Sequence, residues 1–475
     1  MKRLAACAVV CLVVLLVLRV LTVQLKPSTP LAAVNPTSSG SQQAYSPLEG
    51  DGSLSALEAA PHAWGHLHDE DLWIAGNPSP PDRSADLSQL RHWRASLLGA
   101  GEVPQPQNFQ ALLDATPAPV SVEVPVGYWR VDTTLLVHSH TTLRGADSER
   151  SCLVATRGDI DLIALLGSQI SVENLCLVGP GGIASDGGNG PGRGVVNPDK
   201  RVSLAHVVIR GLRIINLNGT AVEMYGNWNA RLADIVIEQN SISHVGGHGI
   251  YAGFIDAGNI RDNLIVDSSL GGLLRGDGAI DAEGSTGLTI EANVVDSNMA
   301  AGIQGNNLSS STVRNNLASR THGGPGFSLW NCSHLLVAGN LSKANDNEGF
   351  YWSVLDWLPP GGSFLTIDGN TAQDNGLSGF YIARHSDVQF TNNLAVDNNQ
   401  RDAGHSGLLL HFSNQHLNVA ANTFLNSRVG KGQQYGVATD TSTSDLKVEN
   451  DNTFVRMRSA DVQPRYLVQD GKPSS

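Results

Sequence analysis

Charge is scarce in this chain: Lys, Arg, Asp and Glu together make up 16% of its 475 residues, and aromatic residues make up 5%. Lysine is scarcest of the charged types, with only seven, and the formal net charge is −13. General nucleic-acid binding is excluded, because nothing here supplies the many phosphate contacts it needs. The five cysteines (Cys7, Cys11, Cys152, Cys176 and Cys332) show no C-x-x-C or other metal-ligand spacing, which excludes zinc-ribbon and related sites. Cys152 and Cys176 stand 24 positions apart; a disulfide is open to them, but two buried thiols are expected. The Gly-rich stretch from Gly179 to Arg193 lacks the Gly-Lys-Ser ending of a phosphate loop and reads as a flexible overhang.

Glycine, by contrast, is abundant at 51 residues, so turns and small side chains dominate. At the N-terminus Lys2 and Arg3 precede an apolar run from Leu4 to Leu18, interrupted by Arg19 and resumed at Val20. That layout is an export signal, and without a small-x-small cleavage site before Pro27 it reads as an uncleaved anchor. Residues 1–25 are therefore expected to be a signal or membrane anchor. Residues 26–84, rich in Pro, Ser, Gly and Ala, form a largely unstructured linker. An N-terminal cap is expected over 85–119, with an amphipathic helix from Ala85 to Leu98 and a second at Asn108 to Ala115. The main body spans 120–458, and a tail follows over 459–475.

The main body repeats itself. An apolar-x-apolar run closes on Asn240, Asn293, Asn316, Asn340, Asn370, Asn393, Asn422 and Asn450. With Asn263 included, successive steps are 293−263 = 30, 316−293 = 23, 340−316 = 24, 370−340 = 30 and 393−370 = 23. A glycine followed by an apolar residue keeps the same rhythm at Gly249, Gly302, Gly326, Gly349, Gly379, Gly407 and Gly436. A unit of about 23 residues has room for three short strands and three turns, and helical repeats need longer units. The fold class expected is all-β: a right-handed parallel β-helix solenoid, with Asn at one turn adopting left-handed backbone angles and hydrogen-bonding to the Asn of the next coil. Longer steps are coils with loops inserted, at Val266 to Asp277, Leu355 to Ser363 and Asp397 to Ser406.

The stretch from Phe109 to Ala115, the run Val124 to Leu135 and the Thr142-Leu-Arg-Gly145 element resemble the opening of pectin-lyase-like β-helix proteins, and the likeness extends from about Asn108 to Phe454. That resemblance implies a carbohydrate groove along one sheet. It does not choose among the lyases, hydrolases, epimerases and non-catalytic adhesins of the superfamily. His248, in Gly247-His248-Gly249, resembles the Gly-His-Gly element of polygalacturonases. The Asn-Thr-Asp, Asp-Asp and Arg-Ile-Lys elements of those enzymes are missing, so a structural hydrogen bond is the expected role. Asp281-Ala282-Glu283 stands where mannuronan epimerases carry Asp-Pro-His, with the Asp matched and the His replaced.

Strand alternation identifies the outward face. If the residue after each glycine points inward, one outward column reads Glu223, Tyr251, Asp281, Gln304, Ser328, Tyr351, Tyr381, Leu409 and Ala438. The other reads Tyr225, Gly253, Glu283, Asn306, Trp330, Ser353, Ala383, His411 and Asp440. Asp281 and Glu283, with Cα atoms about 7 Å apart, suit an acid and base pair for glycosidic cleavage. Glu223 is an auxiliary carboxylate or cation ligand. Tyr225, Tyr251, Asn306, Trp330, Tyr351 and Tyr381 form the expected sugar platform. Arg384 and His411 offer an anion-binding end suited to elimination or epimerisation of a uronate. The reading is an extracytoplasmic protein that cleaves a polysaccharide, with polyuronide lyase or C5-epimerase as one alternative and a non-catalytic envelope module as the other. No metal site and no cofactor is firmly implied, calcium being the cation that an acidic groove would use to hold a polyuronide. The expected partners are polysaccharide and, through the anchor, a membrane, with no nucleic acid; the oligomeric state is left open.

Overall fold

The computed structural model describes residues 105–114, 119–181, 190–271, 278–354, 362–427, 432–462, 468–469 and 472–473. The expected anchor 1–25, the linker 26–84 and the helix from Ala85 to Leu98 lie outside the described residues, as does most of the loop from Leu355 to Ser363. No helix among the described residues is long and apolar enough to cross a membrane. The described chain winds through three parallel sheets of 14, 13 and 13 strands, each strand pairing with its counterparts one coil before and one coil after. Parallel crossovers of this kind coil right-handed. The fold is a parallel β-helix.

Some strands alternate buried and exposed positions, as Val120–Val124 does, whereas others, such as Ser151–Ala155, are buried throughout. Inward residues stack in columns through the core. One column runs Ile303, Phe327, Phe350, Phe380 and Leu408 in strict register. Within it Phe327, Phe350 and Phe380 stack nearly parallel at 4.6 and 5.0 Å. A short helix, Phe109–Asp114, lays Phe109 and Leu113 into this core. Its first turn is capped by Asn108, whose Oδ1 accepts from Ala111 N–H at 3.0 Å. At the other end the strand Ala460–Val462 still pairs with Tyr435 and Val437, so the coil runs a few residues past the expected boundary.

The recurring asparagines form a continuous buried ladder of Asn240, Asn263, Asn293, Asn316, Asn340, Asn370, Asn393, Asn422 and Asn452. In each, both the backbone N–H and the side-chain Nδ2 donate to Oδ1 of the next. Nδ2 also donates to a backbone carbonyl of the preceding coil, as from Asn316 to Ile290 at 2.9 Å. Two expectations are corrected here. The last rung is Asn452 and not Asn450. The left-handed residue is the one before each rung from Asn240 to Asn422 (Gln239, Asp262, Ala292, Asn315, Gly339, Gly369, Asn392 and Ala421, with φ between 53° and 63°). That residue makes the bend, which frees the following Asn to point inward and satisfy the turn's backbone. A second ladder, Asn345, Asn375, Asn398 and Gln433, seals another turn.

Two further devices hold neighbouring coils in place. On the third sheet Glu123, Arg144, Glu173, Arg210, Glu238, Arg261, Glu291 and Arg314 stand in one column. Their charges alternate and pair at 3.0, 3.1, 2.6 and 2.8 Å. Such partly exposed pairs contribute roughly 0.2–1 kcal/mol each, but a skipped coil would set like charges against each other. Cys152 and Cys176 are register partners on adjacent strands, with Cα atoms 4.2 Å apart, and they form a disulfide. This corrects the expectation of two thiols: in-register neighbours in a parallel sheet already stand near bonding distance.

Replacing Asn316 by Ala removes the acceptor of Asn293 and strands buried groups on both neighbours, so a loss of about 2–3 kcal/mol in denaturant unfolding is expected. Asn450→Ala, at an exposed position off the ladder, is expected to change stability by less than about 0.5 kcal/mol; equal losses would contradict the ladder assignment. Peptide mapping without reductant should recover Cys152 and Cys176 as one linked pair, with alkylation at both only after reduction.

Candidate functional site

Strand register places both expected outward columns on the second sheet. Glu223, Tyr251, Asp281, Gln304, Ser328, Tyr351, Tyr381, Leu409 and Ala438 pair in succession. The same ladders align Tyr225, Gly253, Glu283, Asn306, Trp330, Ser353, Ala383 and His411. The face divides into two centres.

The first centre is built around Glu283. Tyr225 donates its hydroxyl to Glu283 Oε2, and Tyr251 reaches the same oxygen at 3.4 Å. The two rings stack at 4.6 Å. Tyr225 belongs two coils below Glu283 and reaches it only because Gly253 stands between them. A Cβ at Gly253 would come within 2.4 Å of the Tyr225 ring. Burial first, and then the neighbouring carboxylate, push both phenols above their ordinary range, so they remain proton donors at any physiological pH. His248 is buried, with Nδ1 2.7 Å from the carbonyl of Gly278 and its ring stacked on Tyr251 at 4.8 Å. It thus contacts both Tyr251 and the strand Gly278–Glu283, which carries Asp281.

Asp281 is 1% exposed, whereas Glu283 is half-buried. The two carboxylates therefore share a face but not equal access to it. Glu223 is also buried, held by Arg193 at 2.8 Å and Lys200 at 3.1 Å. Arg193 in turn pairs with Asp161 at 2.7 Å. The C-terminal end of the expected overhang is thus pinned across the sheet. Lys200 lies 4.5 Å above the Tyr225 ring.

The second centre lies two to six coils beyond Glu283. Tyr351 and Tyr381 stack at 4.8 Å and 3°, and Trp330 leans on Tyr351 at 5.0 Å. Their faces meet one another, so they offer a ligand edges and hydroxyls in place of the flat platform expected. The Tyr381 hydroxyl lies 3.1 Å from His411 Nδ1, and His411 Nε2 lies 3.5 Å from Asp440 Oδ2. Arg384 stacks on Phe412 at 4.5 Å, close enough to Tyr381 to offset part of the rise that burial imposes on its phenol. Asn306 stands between the two centres, with Oδ1 accepting from Asn307 at 3.1 Å.

Sequence reading passed over Arg193, Lys200, Phe254 and the role of Gly253. The signal for Gly253 was present: it is a glycine within an otherwise polar and aromatic column.

Among the described residues, no group of three or more His, Cys, Asp or Glu side chains is arranged to hold a metal ion. A model of the family described as periplasmic copper-binding protein (NosD) matches residues 275–450. Copper takes thiolate, thioether or imidazole ligands. Among the described sulfur ligands, Cys332 and Met224 are buried in the core and Cys152 and Cys176 are bonded to each other. No curated protein matches the chain. Among solved structures, the mannuronan C-5 epimerase AlgE4 A-module of Azotobacter vinelandii is 18% identical, over 74% of this chain and 92% of its own, with a TM-score of 0.44. DFA-IIIase from Arthrobacter chlorophenolicus A6 without its lid, in complex with GF2, is 17% identical, over 81% and 97%, with a TM-score of 0.46. The Dettilon tailspike protein (gp208) is 12% identical, over 75% and 63%, with a TM-score of 0.48.

Because the raised phenols of Tyr225 and Tyr251 stay protonated in the folded state, stability is retained below the ordinary phenol range, near pH 10. It falls as pH rises from there toward the folded values. Unfolding midpoints in denaturant measured across that range should decline less steeply in Tyr251→Phe than in the parent. Gly253→Ala should displace the Tyr225 ring and lower any activity of this centre about tenfold or more while the thermal midpoint moves little, the two being read by activity assay and calorimetry.

Proposed function

We propose that this chain is an extracytoplasmic carbohydrate-processing β-helix protein that cleaves glycosidic bonds on the outward face of its second sheet. The observation that carries this reading is Glu283. One oxygen is held by two tyrosine hydroxyls, while Oε1 makes no hydrogen bond among the described residues. A carboxylate oriented in this way serves as general base on a water. Asp281, two residues along the same strand, is the carboxyl paired with it as the acid that donates to the leaving oxygen, while the phenols stay committed to orienting Glu283. Asn306, half-buried on the next coil, offers an amide for sugar hydroxyls further along the face. The disulfide supports an oxidising compartment, as does the periplasmic description of the family matched over residues 275–450. In this reading residues 1–25 anchor the coil to the membrane and the short helix Phe109–Asp114 caps its open end.

A second reading is favoured by the cluster of Asp440, His411, Tyr381 and Arg384. A uronate carboxylate set against Arg384 would place its C5 proton near the Tyr381–His411 pair, as elimination or epimerisation requires. The test is a panel of neutral and uronic polysaccharides incubated with the full-length protein. New reducing ends without ultraviolet absorbance, reduced a hundredfold or more by Glu283→Gln but not by Tyr381→Phe, are expected. Unsaturated, ultraviolet-absorbing products lost in Tyr381→Phe would transfer the chemistry to the second centre. Binding without any product, unaffected by Glu283→Gln, would make the protein a non-catalytic module.

A further inference from the structure

Beside the Glu283 centre, one residue breaks the pattern of the molecule. Trp228 is 69% exposed, the most exposed large apolar side chain among the described residues. It sits at the tip of a tight turn that directly follows the strand Val222–Tyr225. An indole left in water forgoes the burial that would ordinarily stabilise it, yet this one is held firmly in that position. Asn227 and Ala230 exchange backbone hydrogen bonds at 3.0 and 3.2 Å. Asn227 Oδ1 accepts from Asn229 N–H at 2.8 Å and Ala230 N–H at 3.0 Å, and its Nδ2 donates to the carbonyl of Lys200 at 2.6 Å. The turn is thereby tied to the segment that carries Lys200 to Glu223 and over the Tyr225 ring.

The indole is also tied to the reacting groups by a chain of rings. Phe254 meets Trp228 edge-on at 4.9 Å and meets Tyr225 edge-on at 5.3 Å, and Tyr225 donates to Glu283. Phe254 packs tightly over Gly284, where a Cβ would come within 2.7 Å of its ring. A single T-shaped contact covers at most one face of the indole, so the other face is open. An open aromatic face beside a carboxylate and phenol hydroxyls is the surface that stacks on the apolar side of a pyranose while its hydroxyls are bound at the edge.

We infer that Trp228 forms a sugar-stacking subsite that holds a pyranose unit next to the one engaged by Glu283, and that this unit presents a flat face free of axial hydroxyls. The inference rests on the carbohydrate reading above and adds a direction: the glycan leaves the Glu283 centre past the end of its strand, across the coil rather than along the coil axis. Because the turn is preformed, little ordering is needed on binding.

The test uses the full-length protein with soluble oligosaccharides of glucose, N-acetylglucosamine, xylose and mannuronic acid. Affinity is measured calorimetrically for the parent, Trp228→Ala, Trp228→Phe and Glu283→Gln. At an exposed turn tip, Trp228→Ala is expected to leave the unfolding midpoint unchanged and to weaken binding of at least one flat-faced oligosaccharide about tenfold. Trp228→Phe should recover most of that loss, and Glu283→Gln should still bind. Binding that is unchanged in Trp228→Ala would overturn the subsite and leave the carbohydrate reading standing. No binding of any oligosaccharide or polymer by the parent would overturn both.

Discussion

Everything in this molecule depends on how its turns satisfy their backbone. A solenoid bends the chain three times in every coil, and each bend takes N–H and C=O groups out of strand pairing while keeping them away from water. Unpaired, such groups cost roughly 1–3 kcal/mol apiece. The asparagine side chain is suited to this because it carries an acceptor and two donors in one plane. Its Oδ1 takes two hydrogens from the coil before, and its Nδ2 gives one hydrogen back and one forward. The ladder works only if successive rungs overlie one another, so it fixes the rotation of each coil relative to the last.

The candidate site follows from that fixed rotation. Tyr225 touches Glu283 two coils away because their columns are aligned and because Gly253 leaves the space between them empty. A shift of one residue in any intervening strand would turn one partner into the core. The same alignment that brings Tyr225 to Glu283 also stacks Tyr351 on Tyr381 and limits what those rings offer to a ligand. Alignment is therefore a gain at the first centre and a constraint at the second.

Much of this was legible in the residues themselves. The spacing of Asn240 to Asn422 and the glycine rhythm give the coil, and strand alternation gives both outward columns position by position. The second ladder left a signal that the sequence reading did not use, since Asn345, Asn375 and Asn398 each follow a first-ladder Asn by five residues. Other features were not legible. The left-handed residue precedes the rung because the bend and the hydrogen bonds are divided between two neighbours, and spacing alone cannot separate them. The burial of Glu223 depends on Arg193 and Lys200, which approach from the two ends of the short strand Val195–Val196 one coil earlier. The tilt of Tyr225 depends on the absence of a side chain one coil away, and a column of letters does not show which ring will lean across a gap.

The coil-to-coil ladders also have a direction in time. Each strand after the first in the three sheets pairs with the strand of the preceding coil, and the coil that follows then satisfies the edge it leaves. A ribosome or an export channel releases the N-terminal coils first, so every newly emerged stretch of some 23 to 30 residues meets a finished edge that already displays its register. Such a chain can be built outward from its origin like masonry, one course at a time, with only the topmost course exposed.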